Sequence, residues 1–378
     1  MKIERYIIAK ILDQLVRSDK AIIIYGPRQV GKTTLCQDLI GRAGMKTLYI
    51  NADEGRFTDV LGSRDARALA GLVGGYELVV IDEAQRVPDI GINLKILIDA
   101  KLGIKIIATG SSSFELSNKI NEPLTGRHWT YLLYPISQLE LRARHNEFEL
   151  NSLIEERLRW GSYPGLFSIR GANDRESYLR TLASDYLYKD IFTLQDVRNA
   201  AKIRDLLKLL AFQVGSQVSL SELASHLEMS KETVARYIDL LEKTFVLFRL
   251  SGFSRNLRKE ISKTHKYYFF DLGIRNAVID NFKPLSLRND AGALWENFLI
   301  MERIKRNSYL GEPAASYFWR TYTGAEIDYV EERGGALTGY EFTWGKGAKK
   351  RMPPSWGAAY PNAHYETIDQ ENYFSFVT

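Results

Sequence analysis

The chain has 378 residues, enough for two or three domains, and 45% of them are hydrophobic, which is material for real cores. Lys and Arg outnumber Asp and Glu by 51 to 46, and the resulting net charge of +5 permits a nucleic-acid partner without demanding one. No apolar run nears the roughly 18 uncharged residues of a membrane span, charged residues interrupt the amino terminus, and the single cysteine forms no internal disulfide, so a cytoplasmic globular protein is expected rather than a membrane or disulfide-stapled one.

The first clear element is an apolar strand, Ala21-Ile22-Ile23-Ile24-Tyr25. Directly behind it, Gly26-Pro27-Arg28-Gln29-Val30-Gly31-Lys32-Thr33-Thr34 has the form G-x-x-x-x-G-K-[ST] of a phosphate-binding loop. The chemistry needs these residue types at this spacing, because the backbone must wrap a phosphate closely enough for successive N–H groups to point at it. Gly26 and Gly31 permit that curvature. Lys32 is then expected to reach the β- and γ-phosphates, and Thr33 to place its hydroxyl on Mg²⁺. The helix opening near Lys32, to which Thr34 belongs, turns its positive end toward the anion. Cys36 falls inside that helix, where a buried thiol is expected.

Residues 46–51 read as a second strand, 64–73 as a helix, and 77–82 as a third strand carrying Leu78-Val79-Val80-Ile81. A helix over 92–102 and a strand over 105–109 follow. Short, nearly all-apolar strands alternating with helices predict a parallel sheet covered on both faces, with ligands at the carboxyl ends of its strands. Asp82 and Glu83 end the third strand there. Asp82 is expected to hold Mg²⁺ and Glu83 to polarise the attacking water. The next strand ends in Thr109-Gly110-Ser111, where Ser111 either approaches the γ-phosphate or belongs to a Ser/Thr turn capping a helix at Phe114. Arg127, ahead of a last strand over 129–134, either senses the γ-phosphate or makes a surface ion pair.

An extra strand between the phosphate loop and the Asp-Glu strand, with Glu83 beside Asp82, resembles the AAA-like and STAND-like branches of P-loop ATPases. The runs Gly26 to Leu35, Ile81-Asp82-Glu83-Ala84-Gln85, Thr109 to Ser113, Gly126-Arg127, Tyr134-Pro135 and Gly161-Ser162-Tyr163-Pro164 are together similar to one prokaryotic family of AAA-like ATPases with a carboxy-terminal domain of unknown function. The resemblance implies ATP as cofactor, and no guanine-specific Asn-Lys-x-Asp run argues otherwise.

From residue 137 to about 200 the pattern is helical and charged, as in a helical lid, interrupted by the Gly161 to Pro164 turn. Pro164 either reports on the bound nucleotide or simply turns the chain between helices. Ser219-Leu220-Ser221-Glu222 is a capping box opening a short helix, and Ser230 caps a second that carries Val234, Ile238 and Leu241 on one face. Strands over 245–250 and 266–270 around a polar loop complete a winged helix-turn-helix. Such folds bind either DNA or protein. Lys231, Arg236, Arg255, Arg258, Lys259 and Lys263 are the candidate DNA contacts, in a hairpin that also carries His265 and Lys266 against the lone acid Glu260 and that is otherwise a solvated loop, although Glu232, Asp239 and Glu242 dilute the helix.

The remainder begins with a helix over 294–306 carrying Glu296, then strands over 316–320, 326–330 and 337–343. One helix and three strands, with Asp328 in the second strand and Glu341 in the third, resemble the PD-(D/E)xK nuclease core. The resemblance implies a divalent metal held by Asp328 and Glu341, a lysine two residues after the glutamate that activates water, and help from a helix glutamate. The chain departs from the pattern at the lysine, where Thr343 stands. A threonine hydroxyl brings no positive charge, and Lys346 in the next turn is the nearest replacement by sequence. The aromatic residues Trp295, Phe298, Trp319, Tyr322, Trp344 and Trp356 read as core.

The expected architecture is therefore an α/β chain: a P-loop NTPase core with an AAA-like parallel sheet over 1–135, a helical lid over 136–200, a winged helix-turn-helix over 201–275 and a nuclease-like α/β domain over 285–378. The expected function is a Mg²⁺-dependent ATP hydrolase whose nucleotide state sets the position of the winged helix and tail on duplex DNA. The alternatives are an ATP-gated, metal-dependent DNA nuclease and a regulatory ATPase that holds a protein partner.

Overall fold

Five short strands, β1 (Ala21–Tyr25), β2 (Thr47–Asn51), β3 (Leu78–Asp82), β4 (Lys105–Gly110) and β5 (His128–Leu132), run parallel in the order β2-β3-β4-β1-β5. The computed structural model describes residues 3–111, 123–193, 200–255, 264–347 and 349–378. Every residue of β1 and β3 is buried, which is why both sequences are apolar without alternation, whereas the edge strands β2 and β5 leave Tyr49 and Trp129 exposed. This is the P-loop NTPase fold. β4 lies between β1 and β3, so the phosphate loop, Asp82 and the end of β4 all reach the same edge of the sheet.

Several boundaries differ from those expected. The helix expected over 64–73 is Ala66–Val73, because the Asp65 side chain accepts from the Arg67 and Ala68 N–H groups and so caps it. The helix expected over 92–102 is Ile90–Asp99. Periodicity assigns nothing before β1, yet Ile7–Arg17 is a helix with Ile7, Ile8, Ile11 and Leu15 buried on one face.

The chain divides into two compact units, Lys2–Pro135 with Lys243–Phe245, and Ile136–Glu242 with Val246–Thr378. The second unit holds a seven-stranded sheet. Its strands are β6 (Gln217–Val218), β7 (Leu247–Gly252), β8 (His265–Phe269), β9 (Ala315–Arg320), β10 (Glu326–Arg333), β11 (Ala336–Phe342) and β12 (His364–Ile368), in the order β12-β11-β10-β9-β7-β8-β6. β7 therefore belongs to two structures at once. It forms an antiparallel hairpin with β8 and also pairs in parallel with β9, through Ser251 with Tyr317 and Gly252 with Phe318. The hairpin expected to close a winged unit is thus continuous with the strands of the tail.

The same unit contains the helices Leu220–His226 and Lys231–Lys243, and the long helix Ala291–Leu310. The turn at Gly161 is fixed by packing. Gly161 has φ +75°, a Cβ there would lie 2.0 Å from Asp271 Oδ1, and Asp271 Oδ2 accepts from the Ser162 N–H at 2.7 Å. Trp295, Phe298, Trp319 and Trp356 are buried as expected, with Trp319 and Trp356 edge-to-face at 5.2 Å. Tyr322 is a correction. It stands fully exposed between β9 and β10, because the Thr321–Gly324 turn carries it past the end of both strands.

Candidate functional site

The phosphate loop leaves β1 at Tyr25 and enters the helix Lys32–Ala43 at Gly31, whose φ of +96° no ordinary side chain adopts comfortably. Gln29 at the loop apex is also left-handed, with φ +57°. Gly26 is required for another reason. A Cβ there would lie 2.4 Å from the Leu133 carbonyl oxygen, so only glycine lets the loop pass this close to the chain leaving β5. The Lys32 ammonium is buried in the loop and donates to the Gly26 and Pro27 carbonyls at 2.9 and 3.0 Å.

Thr33 at the helix start donates its hydroxyl to Asp82 Oδ2 at 2.6 Å, and this contact joins the phosphate loop to the end of β3. Asp82 is buried and accepts further from Tyr49 at 2.9 Å and from the Thr109 hydroxyl. Partial burial, and then the hydrogen bond to Asp82, hold the Tyr49 phenol above its ordinary range, so it remains a donor. Glu83 has left-handed backbone, φ +54° and ψ +41°, steadied by its N–H bonding Thr109 Oγ1 at 3.2 Å. A non-glycine residue held there costs on the order of 1 kcal/mol and such residues cluster at functional sites. The Gln85 amide donates to both the Glu83 carboxylate and the Ser111 hydroxyl, the latter at 3.1 Å. Ser111 is thus brought to Glu83. The helix expected at Phe114 lies outside the described residues.

Two side chains here escaped the motif reading, Tyr49 and Arg5, and two more, Gln85 and Thr109, stood in its motifs without a named role. Thr109 was legible as a polar strand end. Arg5 carried no signal, since a basic residue ahead of β1 looks like surface. It is buried, and its guanidinium donates to the Val30 carbonyl of the loop at 2.8 Å and to the Tyr134 carbonyl at 2.5 Å. Cys36 is buried as expected, and burial, then Asp82, push its thiol up, out of reactive range.

Of the two readings open for Arg127, the structure has it in a surface ion pair. Its carbonyl accepts from the Ala21 N–H at the start of β1, while the phosphate loop follows Tyr25 at the other end. The two edges are about 13 Å apart at about 3.3 Å per strand residue. Arg127 is half-exposed and pairs with Asp99 at 2.8 Å, so it does not reach a nucleotide in its own loop. Arg127→Ala is expected to leave ATP turnover by dilute, monomeric protein within about twofold of the parent, the scale of an exposed ion pair. A loss greater than tenfold would return Arg127 to the site.

In the second unit, Pro164 opens a short 3-10 turn, Pro164–Ser168. Lys231 and Arg236 are exposed on the helix Lys231–Lys243, and Arg255 stacks over the Tyr360 ring at 5.5 Å. Arg258, Lys259 and Lys263 lie outside the described residues. Lys266 leaves the exposed basic set. It is buried, with its ammonium 2.6 Å from Glu326 and 3.2 Å from Glu296. Burial works against its charge, but Glu296 and Glu326 outweigh it and raise the ammonium above the usual lysine range.

Asp328 and Glu341 are cross-strand neighbours, one step beyond the Tyr329–Tyr340 pair of β10 and β11, and so share a face. Asp328 accepts from the Phe342 N–H at 2.9 Å. Burial raises both carboxyls above their ordinary range, Glu341 further through Asp328. Glu296, on the long helix, accepts from Tyr268 and Lys266, and burial pushes it up to about 7. Among the described residues no three His, Cys, Asp or Glu side chains converge as a preformed metal cage. None of the described helices is long and apolar enough to cross a membrane.

Residues 18–142 match the family model of the AAA domain, residues 151–285 that of a domain of unknown function (DUF8612), and residues 291–367 that of another (DUF4143). The chain is similar to the uncharacterized protein Rv2008c of Mycobacterium tuberculosis, 31% identical over 347 residues that cover 90% of this chain and 74% of that one. It is also similar to the uncharacterized protein MJ1637 of Methanocaldococcus jannaschii, 26% identical over 370 residues, covering 86% of this chain and 74% of that one. Among solved structures, the Walker-type ATPase PABY2304 of Pyrococcus abyssi is similar with a TM-score of 0.50 and 16% identity, covering 73% of this chain and 96% of that one, a likeness of fold.

Proposed function

The chain belongs to one family with the mycobacterial protein just described, and from that premise and its AAA-like P-loop ATPase domain we propose that it is a cytoplasmic, Mg²⁺-dependent, ATP-hydrolysing switch whose nucleotide state controls a winged helix and a nuclease-like tail on DNA. The observation that carries the hydrolytic reading is the Thr33–Asp82 contact of 2.6 Å, with Glu83 next in the chain. It puts a hydroxyl and a carboxylate, both hard oxygen ligands, at the mouth of a loop built for phosphate, which fits the donors Mg²⁺ prefers. Bound Mg²⁺ would neutralise charge on the β- and γ-phosphates.

The protein's own residues do the rest. Arg28 to Thr34 would present backbone N–H groups to the phosphates, and Lys32 would exchange its two loop carbonyls for phosphate oxygens. Glu83 would take the proton of the attacking water, with Gln85, itself bonded to Ser111, holding the carboxylate in place until then. ATP turnover measured with Mg²⁺ and after chelation tests this reading, and turnover indifferent to chelation would sink it.

DNA contact is supported by the two exposed cations of the helix Lys231–Lys243 and by charge pairing within the same unit. Arg249 binds Glu242 at 3.1 Å, which removes one of the acids that made the helix look unsuited to a phosphate backbone. Neutralising Lys231, Arg236, Arg255, Arg258, Lys259 and Lys263 together is expected to weaken binding to random duplex DNA and to flatten its salt dependence, the log–log slope falling by about one for each DNA phosphate that is no longer neutralised. Unchanged affinity and slope, with or without ATP, would leave the reading of a switch for a protein partner.

A second reading, metal-dependent cleavage of DNA by the tail, is favoured by one atom. Glu341 Oε2 is buried and has no hydrogen-bond partner among the described residues, and it belongs to the carboxylate that faces Asp328. A buried carboxylate oxygen without a partner is costly, and a divalent cation between Glu341 and Asp328 would satisfy it.

A further inference from the structure

The tail lacks the lysine expected two residues after Glu341, and Lys346, the nearest replacement by sequence, is exposed. Another lysine is already in place. Lys350 Nζ lies 2.5 Å from Glu341 Oε1. Its main chain is held from both sides by one threonine: the Lys350 N–H donates to Thr367 Oγ1 and the Thr367 hydroxyl donates to the Lys350 carbonyl, each at 3.3 Å. Thr367 in β12 is the register partner of Glu341 in β11, so this clamp delivers the ammonium to Glu341 from the neighbouring strand. The side chain is half-exposed, so one side of the ammonium stays open to an incoming group.

We infer that Lys350 replaces the missing lysine of this site, standing beside a divalent cation bound by Asp328 and Glu341 Oε2 and contacting a phosphodiester oxygen. This rests on the metal-pair reading of the tail. Lys350 occupies only Oε1 of Glu341, which leaves Oε2, a buried oxygen with no partner among the described residues, for the cation. With no third carboxylate converging on the pair among the described residues, the cation would complete its shell with water and phosphate oxygens, as Mg²⁺ commonly does. The ammonium is then the fixed positive charge available to the developing oxyanion, the part that Thr343 cannot play. Hydrolysis adds water across one P–O bond. The water oxygen bonds to phosphorus, the bond to the leaving sugar oxygen breaks, and the proton given up by water ends on that oxygen, with no redox partner.

The experiment uses the full chain without nucleotide and Mn²⁺ as the probe, read by electron paramagnetic resonance, with nicking of supercoiled plasmid as a second readout. The wild type is expected to bind Mn²⁺ in a component that Asp328→Ala removes. Removing a neighbouring positive charge strengthens cation binding, so Lys350→Met should tighten that component at least about threefold, while nicking falls at least about tenfold. Lys346→Met should change neither, and Thr343→Lys added to Lys350→Met should restore nicking. Absence of the Asp328-dependent component in the wild type would overturn the metal-pair reading itself. Mn²⁺ bound as expected, but with affinity or nicking indifferent to Lys350→Met, or with no nicking at all, would leave the metal pair standing and overturn the assignment to Lys350.

Discussion

Lys32→Ala should abolish measurable ATP turnover and weaken ATP binding at least about tenfold. The buried Lys32 ammonium makes two hydrogen bonds to carbonyls of its own loop, so it is already aimed into the curve where phosphates would lie. A charge-assisted hydrogen bond to phosphate is worth about 1.5–3 kcal/mol, and its loss from a site of developing negative charge costs about 100- to 1000-fold in kcat. Binding is checked by equilibrium titration with a fluorescent ATP analogue and turnover by phosphate release. The thermal midpoint of the variant separates a chemical effect from unfolding, because alanine also withdraws a donor from the Gly26 and Pro27 carbonyls. Normal turnover in a folded Lys32→Ala protein would remove the phosphate loop from the mechanism.

Glu83→Gln should give the opposite division. The amide keeps the size of the carboxylate and can still accept from Gln85, so nucleotide affinity should hold within about threefold, whereas a general base contributes about 100- to 10,000-fold. A fall in kcat of at least about 100-fold with binding intact marks an interaction used only on the way to the transition state. Equal loss of binding and turnover would instead indicate that the Glu83 carboxylate serves nucleotide binding as much as chemistry. Such a variant, ATP-bound and slow to turn over, is also the form in which to measure DNA affinity.

The ATPase core was legible because its chemistry is local. Gly26 to Thr34 are consecutive, and Asp82 and Glu83 announce themselves by ending an apolar run, so motif and position coincide. Tyr49 and Arg5 were not legible, because each reaches its partner across the fold, Tyr49 from the strand beside β3 and Arg5 across 129 residues to Tyr134. Arg127 stood open in the sequence between a nucleotide sensor and a surface ion pair, and only the parallel register with β1, which puts it at the end of its strand away from the loop, separates the two. Lys266 read as one more exposed cation of a polar hairpin, and only the tertiary structure brings Glu296 and Glu326 to it. For the tail, sequence spacing identified the gap at Thr343 and pointed to Lys346. The lysine inferred to fill it, Lys350, is held by Thr367, and strand pairing, which sequence spacing does not encode, brings it there.

The double pairing of β7 sets a limit on how this protein can be taken apart. A chain cut after the β7–β8 hairpin would leave the β9-facing edge of β7 at Ser251 and Gly252 unpaired and strand Lys266 without the carboxylates that balance its buried charge. The tail truncated alone would likewise lose the strand against which β9 is laid. Neither half is a portable cassette.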